Sequence, residues 1–254
     1  MILNNQNAIV IGVRIVIIKY LCKGVVVMSK KFVLAGICTL AALSLSGCKI
    51  DLGANVPLSA LLGNEIKTAN ADLYVEVPAC NSYEDSRQPS KGLVDAKNEI
   101  NNIFPDGEYK ECFKKKFDSF AHFSLPVAFG PEDKLSEKSP EIRILRNERN
   151  NVFVSLSKPL HQRLKNAKDK PSISGGFSPS DVRMFITVNN DTGKPITADY
   201  VGVFVSDYPI IIANGLSLDN GKNFAIRLSD VTTSALFLDD KNNPANFMFN
   251  VRDK

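Results

Sequence analysis

Few side chains in this sequence have the type and spacing that catalysis needs. Of two histidines, His122 falls in an alternating stretch on the parity of Asp118 and Phe120. A general base at His122, oriented by the Asp118 carboxylate, is one reading; a half-exposed strand histidine is the plainer one. His161 lies among Lys and Arg on a helical stretch and reads as solvated. Glu84 and Asp85, with Glu76, form an acidic patch. Two carboxylates roughly 5–9 Å apart do glycoside chemistry, yet a solvated acidic loop accounts for these three equally simply. Asp239-Asp240-Lys241-Asn242-Asn243 lacks the spaced oxygens of a calcium loop and reads as a helix end and turn. Ser174-Gly175-Gly176 runs into Phe177-Ser178-Pro179 rather than a helix, which argues against a phosphate cradle. Neither Gly-x-Ser-x-Gly nor His-Glu-x-x-His occurs. No cofactor, metal set or catalytic constellation is read here, and no enzyme is expected.

The stretch with a definite chemical meaning is Met28–Cys48. Lys30 and Lys31 start it, and Phe32–Leu45 is an apolar core of 14 residues. That is short for a hydrocarbon layer of about 30 Å. Small residues and a cysteine follow: Leu45-Ser46-Gly47-Cys48. The segment has the three parts of a secretory signal, and its end resembles the lipobox of bacterial lipoproteins. The resemblance implies peptidase recognition through Leu45, Ser46 and Gly47 and cleavage before Cys48. The Cys48 sulfur then receives diacylglyceryl and its amino group an acyl chain such as palmitate. Each buried CH₂ contributes about 0.8 kcal/mol, so two or three chains hold firmly where one does not. Lys49 stands where an Asp favours inner-membrane retention in enterobacterial lipoproteins. The expectation is therefore an outer-membrane anchor with the body facing the periplasm. Residues 1–27 read as an extension upstream of the true start at Met28. Arg14 would cost about 2.5 kcal/mol or more at the centre of a membrane helix over Ile9–Ile18.

Five of the 31 basic residues and none of the 27 acidic ones precede Cys48. The remainder carries 26 bases against 27 acids, a net of −1. That balance excludes a concentrated basic face for nucleic acid. Once Cys22 and Cys38 leave with the signal and Cys48 is acylated, Cys80 and Cys112 remain. In an oxidising compartment they form a disulfide, which closes a loop of about 33 residues, worth roughly 3.7 kcal/mol in the chain-entropy picture.

The body reads as strand-rich α+β, mainly an antiparallel sheet with about three helices and one disulfide. Residues 48–70 are expected as a tether and short helix, with Lys49–Val56 the tether and a turn of helix after Pro57. Residues 71–130 are expected as a disulfide-stapled β-α-β unit: a strand over Ala71–Val77, a helix capped by Ser90 with Leu93, Ala96, Ile100 and Ile103 on one stripe, then one long strand over Tyr109–Val127 with Phe117, Phe123 and Leu125 sharing a face. Residues 131–254 are expected as an antiparallel α+β region packed on it. Alternation marks strands around Ile142–Leu145, Val152–Leu156, Val182–Val188, Ile196–Val205, Tyr208–Ala213, Leu216–Leu218, Phe224–Leu228 and Phe247–Val251. Helices are expected near 158–166 and 230–239. Asn166–Ser180 reads as a loop.

Ala79–Arg87, Glu108–Cys112 and Lys116–Ser119, together with the lipobox, resemble small uncharacterised lipoproteins of enterobacteria and their prophages, best over residues 45–130. The resemblance implies an envelope address and brings no activity or site residue beyond Cys48. Three functions follow as expectations: a binding or interaction lipoprotein with an envelope protein partner, a carrier of lipid or another apolar ligand, and a carboxylate-based envelope hydrolase. Cys48→Ser should move the body from the membrane pellet to the soluble fraction; retention in the pellet would refute the anchor.

Overall fold

The computed structural model describes residues 49–168, 181–237 and 246–252. Apolar alternation becomes strands: β1 (Ile50–Pro57), β2 (Lys67–Val77), β3 (Glu108–Lys115), β4 (Asp118–Pro131), β5 (Ile142–Arg146), β6 (Asn151–Leu156), β7 (Val182–Asn189), β8 (Ile196–Val205), β9 (Tyr208–Leu218), β10 (Asn223–Leu228) and β11 (Asn246–Arg252). Four α-helices join them among the described residues: α1 (Leu58–Leu61), α2 (Lys91–Ile103), α3 (Lys158–Lys168) and α4 (Asp230–Leu236). Serine caps start three of these. The Ser90 hydroxyl accepts from the Leu93 amide, and the Ser229 hydroxyl accepts from the Thr232 amide. Before α3 the Ser157 hydroxyl accepts from the Leu160 amide at 3.2 Å. All three satisfy amides that a helix leaves without internal partners.

Nine strands close into a barrel in the order β10-β7-β1-β2-β4-β5-β6-β11-β8 and back to β10; β3 adds to β4, and β9 to β8. The inward faces of both halves of the chain meet in one core that includes Leu52, Leu73, Phe123, Ile144, Met184 and Phe249. The units expected at 71–130 and 131–254 are thus interleaved in one body, Gly47–Lys254. Strand β1 carries this interleaving, with β2 antiparallel on one edge and β7 parallel on the other.

Closure imposes a condition on the backbone. Of the nine pairings in the ring, β1–β7 and β4–β5 are parallel and seven are antiparallel. Each antiparallel step reverses strand direction, and an odd number of reversals cannot close with straight strands. Some strand must turn along its length, and β8 does so. Strand β9 runs along one whole edge of β8. The other edge meets β11 with residues 197–200 and β10 with residues 203–205. Between the two lies Gly202, with a left-handed φ of +64°.

Two expectations are corrected. The tether over Lys49–Val56 is strand β1 from Ile50 onward, with Leu52 and Val56 buried; its apolar residues alternate and have strands to pair with on both edges. The single strand over Tyr109–Val127 is a hairpin, because Lys116 takes a left-handed φ of 60° and reverses the chain between β3 and β4. Phe117 therefore sits in the turn, 98% exposed, and not on the buried face. The antiparallel expectation holds for most pairings; of the two parallel ones, β1–β7 joins strands far apart in the sequence and β4–β5 joins consecutive strands.

Gly202→Ala should cost about 1–2 kcal/mol, since an L-residue pays that much for a left-handed φ. Gly53→Ala, whose new Cβ meets only the Asp72 carbonyl oxygen at 4.0 Å, should change stability far less. Urea unfolding of both variants checks the difference, and equal midpoints would contradict the bend.

Candidate functional site

A helix as short as α1, four residues long, cannot hold its own shape, because one turn fixes several dihedrals for one hydrogen bond. Two side chains from distant parts of the chain hold it, Asp191 in the turn after β7 and Arg146 at the end of β5. At its start, the Asp191 carboxylate accepts from the Ser59 amide at 2.8 Å and from the Ser59 hydroxyl at 2.5 Å. At its end, the Arg146 guanidinium donates to the carbonyls of Leu61 (3.2 Å), Leu62 (3.4 Å) and Gly63 (3.0 Å) and to Asn150 Oδ1 (3.1 Å). An anion at the amide end and a cation at the carbonyl end also complement the helix dipole. Leu58 and Leu61, both fully buried, seat α1 in the core.

Arg146 stands between two open clefts. One, of about 490 Å³, is lined by Glu132, Asp133, Arg146, Asn147, Glu148 and Arg149 among others. The other, of about 450 Å³, includes Asn64, Arg146, Glu148, Lys194 and Arg252 over an apolar floor of Leu62 and Val251. Arg252 pairs with Asp199 at 2.8 Å and holds that carboxyl below its ordinary range. Glu148, Arg149 and Lys194 are exposed and form no ion pair with a described residue. Neither cleft is lined by a described histidine or cysteine. This surface offers charges of both signs and amide groups, which suits polar recognition.

The residues singled out by sequence lie elsewhere. His122 Nε2 is 2.8 Å from Asp72 Oδ1, and Nδ1 is 4.0 Å from Glu111 Oε1. The Tyr74 ring stacks on the imidazole at 4.7 Å between centroids. Burial, then Asp72 and Glu111, push the Tyr74 hydroxyl above its ordinary pKa. Asp118 is not the partner: four residues back along one strand is roughly 13 Å away. Asp72 reaches His122 across the β2–β4 register instead, where Tyr74 faces His122 and Asp72 faces Ser124. Cys80 and Cys112 are disulfide-bonded, tying the segment after β2 to β3 on the opposite edge of β4. Leu45, Ser46, Gly47 and Cys48 lie outside the described residues, as do Ser174–Gly176 and Asp239–Asn243. His161 lies on α3.

In the acidic patch Asp85 is engaged by an arginine. The Arg87 guanidinium bonds both oxygens of Asp85 and lowers its pKa. Glu76 Oε2 is buried without a described partner, on the strand preceding the disulfide. Large side chains pack in the barrel interior: Phe123, Leu125, Tyr200 and Phe249 are at most 1% exposed. Sequence reading missed Arg146 and Asp191. Asp191 had a local signal, since it follows a buried asparagine in a turn, but its partner Ser59 is 132 residues away.

The clamp on α1 is measurable. Arg146→Met should cost about 1.5–3 kcal/mol, the range for charge-assisted hydrogen bonds, and Asp191→Asn, which keeps an acceptor oxygen but loses the charge, about 0.3–1 kcal/mol. For Asp191, burial raises the pKa, but the Ser59 hydrogen bonds outweigh it and leave the carboxyl below its ordinary 3.8. A lowered folded pKa gives stability that is complete above 3.8 and disappears as pH falls through the folded value. The gap between wild type and Asp191→Asn should therefore close on acidification below about pH 4. Urea midpoints between pH 7 and pH 2.5 test this, and a gap that is independent of pH would contradict it.

The family model of DUF7424, a domain of unknown function, matches residues 52–249. No curated protein and no solved structure matches the chain. The matched span opens within β1 and ends within β11, so it takes in Arg146, Asp191, both clefts and every strand of the barrel. On that match, the chain belongs to the DUF7424 family.

Proposed function

We propose that the protein is a lipid-anchored envelope binding protein, held at the outer membrane through Cys48, that recognises a polar partner with the barrel end around Arg146. The single observation that carries the reading is the pair of open clefts sharing Arg146 and Glu148. Their position suits an anchored body. Strand β1 begins at Ile50, two residues after Cys48, and runs eight residues to Pro57, about 26 Å at strand rise. Leu62, Asn64 and the Arg146 contacts lie beyond that end. A body tethered before β1 thus carries its clefts at the far end of that strand, open to the periplasm. Two residues of chain reach at most about 7 Å, so the body stays close to the bilayer. The net charge of −1 after residue 47 supports a protein or glycan partner over nucleic acid.

The carrier reading has less in its favour, because large side chains such as Phe123, Tyr200 and Phe249 pack in the barrel interior. The hydrolase reading has less in its favour, because Asp85 of the acidic patch is taken up by Arg87.

The test is affinity capture from detergent-solubilised envelopes, with the acylated protein as bait. Wild type should retain a defined partner, and the double variant Arg149→Glu, Lys194→Glu should lose it while keeping its unfolding midpoint. Equal capture by both baits would remove the clefts from recognition.

A further inference from the structure

Strand β9 departs from how sheets treat their edges. It pairs only with β8, at the end of the strand order. Natural edge strands are blunted by charge, brevity or covering elements. Residues 208–218 read Tyr-Pro-Ile-Ile-Ile-Ala-Asn-Gly-Leu-Ser-Leu, without one charge. Tyr208, Ile211 and Ile212 are 75%, 84% and 67% exposed, on both faces of the strand. Contiguous exposed apolar surface of this kind marks an interaction site.

The hydrogen-bonding groups indicate the partner. Val205 and Tyr208 face each other across the two-residue turn Ser206-Asp207, both with left-handed φ. Such turns close with an exchanged pair of backbone bonds. Bonding direction then alternates along β9. Tyr208, Ile210 and Ile212 point their amides and carbonyls at β8, while Pro209, Ile211 and Ala213 point theirs outward. Pro209 has no amide to offer. Beyond Ala213 a bulge interrupts the ladder, and the Gly215 amide is taken by Asp199 Oδ1 at 2.7 Å. The free edge is therefore short and bounded, with the amides and carbonyls of Ile211 and Ala213 at its centre.

We propose that two copies of this chain pair β9 with β9, antiparallel, about a twofold axis through Ile212. In that register Ile211 faces Ala213 of the other copy in both directions, and four backbone bonds form from groups each copy already presents. Ile212 meets its own equivalent as a non-hydrogen-bonded pair, the closer of the two antiparallel geometries. An uncharged strand brings no like-charge repulsion across the axis, which strands of identical copies would otherwise share. Each copy covers the open stretch of the other's β9, so pairing through this edge closes as a dimer rather than growing. One added strand buries on the order of several hundred Å² per copy, a weak interface; tethering copies to one bilayer raises their effective concentration. The proposal is independent of the clefts, and neither stands or falls with the other.

Cysteine cross-linking tests it in the full chain. Ile212→Cys should give a disulfide-linked species of twice the mass under mild oxidation, since facing residues at a non-hydrogen-bonded pair lie within disulfide reach. Val231→Cys, on α4 and 80% exposed, should give none. In sedimentation of the purified protein, wild type should show a concentration-dependent dimer. Ile211→Pro, which deletes an outward amide and spares the bonds to β8, should lose it. Cross-linking of Ile212→Cys no stronger than that of Val231→Cys would overturn the proposal. So would an Ile212→Cys adduct with a different protein, or a wild type that stays monomeric in detergent and on vesicles while Ile212→Lys weakens vesicle binding. Failure of envelope capture by the cleft variant leaves all these outcomes readable.

Discussion

A barrel strand has no spare edge, and this chain closes its sheet through one strand that bends. Every buried backbone amide and carbonyl needs a partner, and a sheet that stops short of closure leaves a row of them open. Seven reversals of direction around nine strands would prevent closure if all strands ran straight. β8 resolves the conflict by giving one stretch of its edge to β11 and the next to β10, with Gly202 between them. The same strand gives its whole other edge to β9. Closing the ring with β8 thus moves the open edge outward to β9, where Tyr208, Ile211 and Ile212 are exposed.

The second constraint is at the end of β1. Four residues of helix are stable there because Asp191 and Arg146 bond the two ends of the peptide dipole. These contacts bring together residues from the start, middle and last third of the sequence. The guanidinium that serves α1 also divides the two clefts, so the shape of the polar surface depends on the same interaction that fixes the helix. The β8–β9 side and the Arg146 end have different chemistry: the first is an uncharged strand edge suited to backbone pairing, the second an array of charges and amides suited to ion pairs and hydrogen bonds.

His122 shows how a local reading goes wrong when the partner is remote. Asp118 shares its parity and lies nearby in sequence, yet strand rise keeps the two far apart. Asp72 comes from another strand and lies 2.8 Å from the imidazole. Phe117 shows the same limit in another form. Its parity fits the buried face of β4, but the left-handed Lys116 turns the chain one residue earlier. A lysine carries no turn signal comparable to Asn-Gly, so the hairpin was not legible.

The sequence alone determined what local chemistry determines. Two-residue alternation marks most strands, because side chains on a strand point to opposite faces. Ser90 and Ser229 mark helix starts, because their hydroxyls satisfy open amides. Cys80 and Cys112 are the only thiols left after the segment that ends at Cys48, and they are bonded in the structure. Tertiary structure alone decided the closure of the barrel, the parallel pairing of β1 with β7 and of β4 with β5, the incorporation of the supposed tether as β1, and the clamp of Asp191 and Arg146 on α1. All but the β4–β5 pairing join residues far apart in the chain. Hydrogen-bond register and charge pairing depend on where the backbone comes together in space, and no periodicity along the sequence records that.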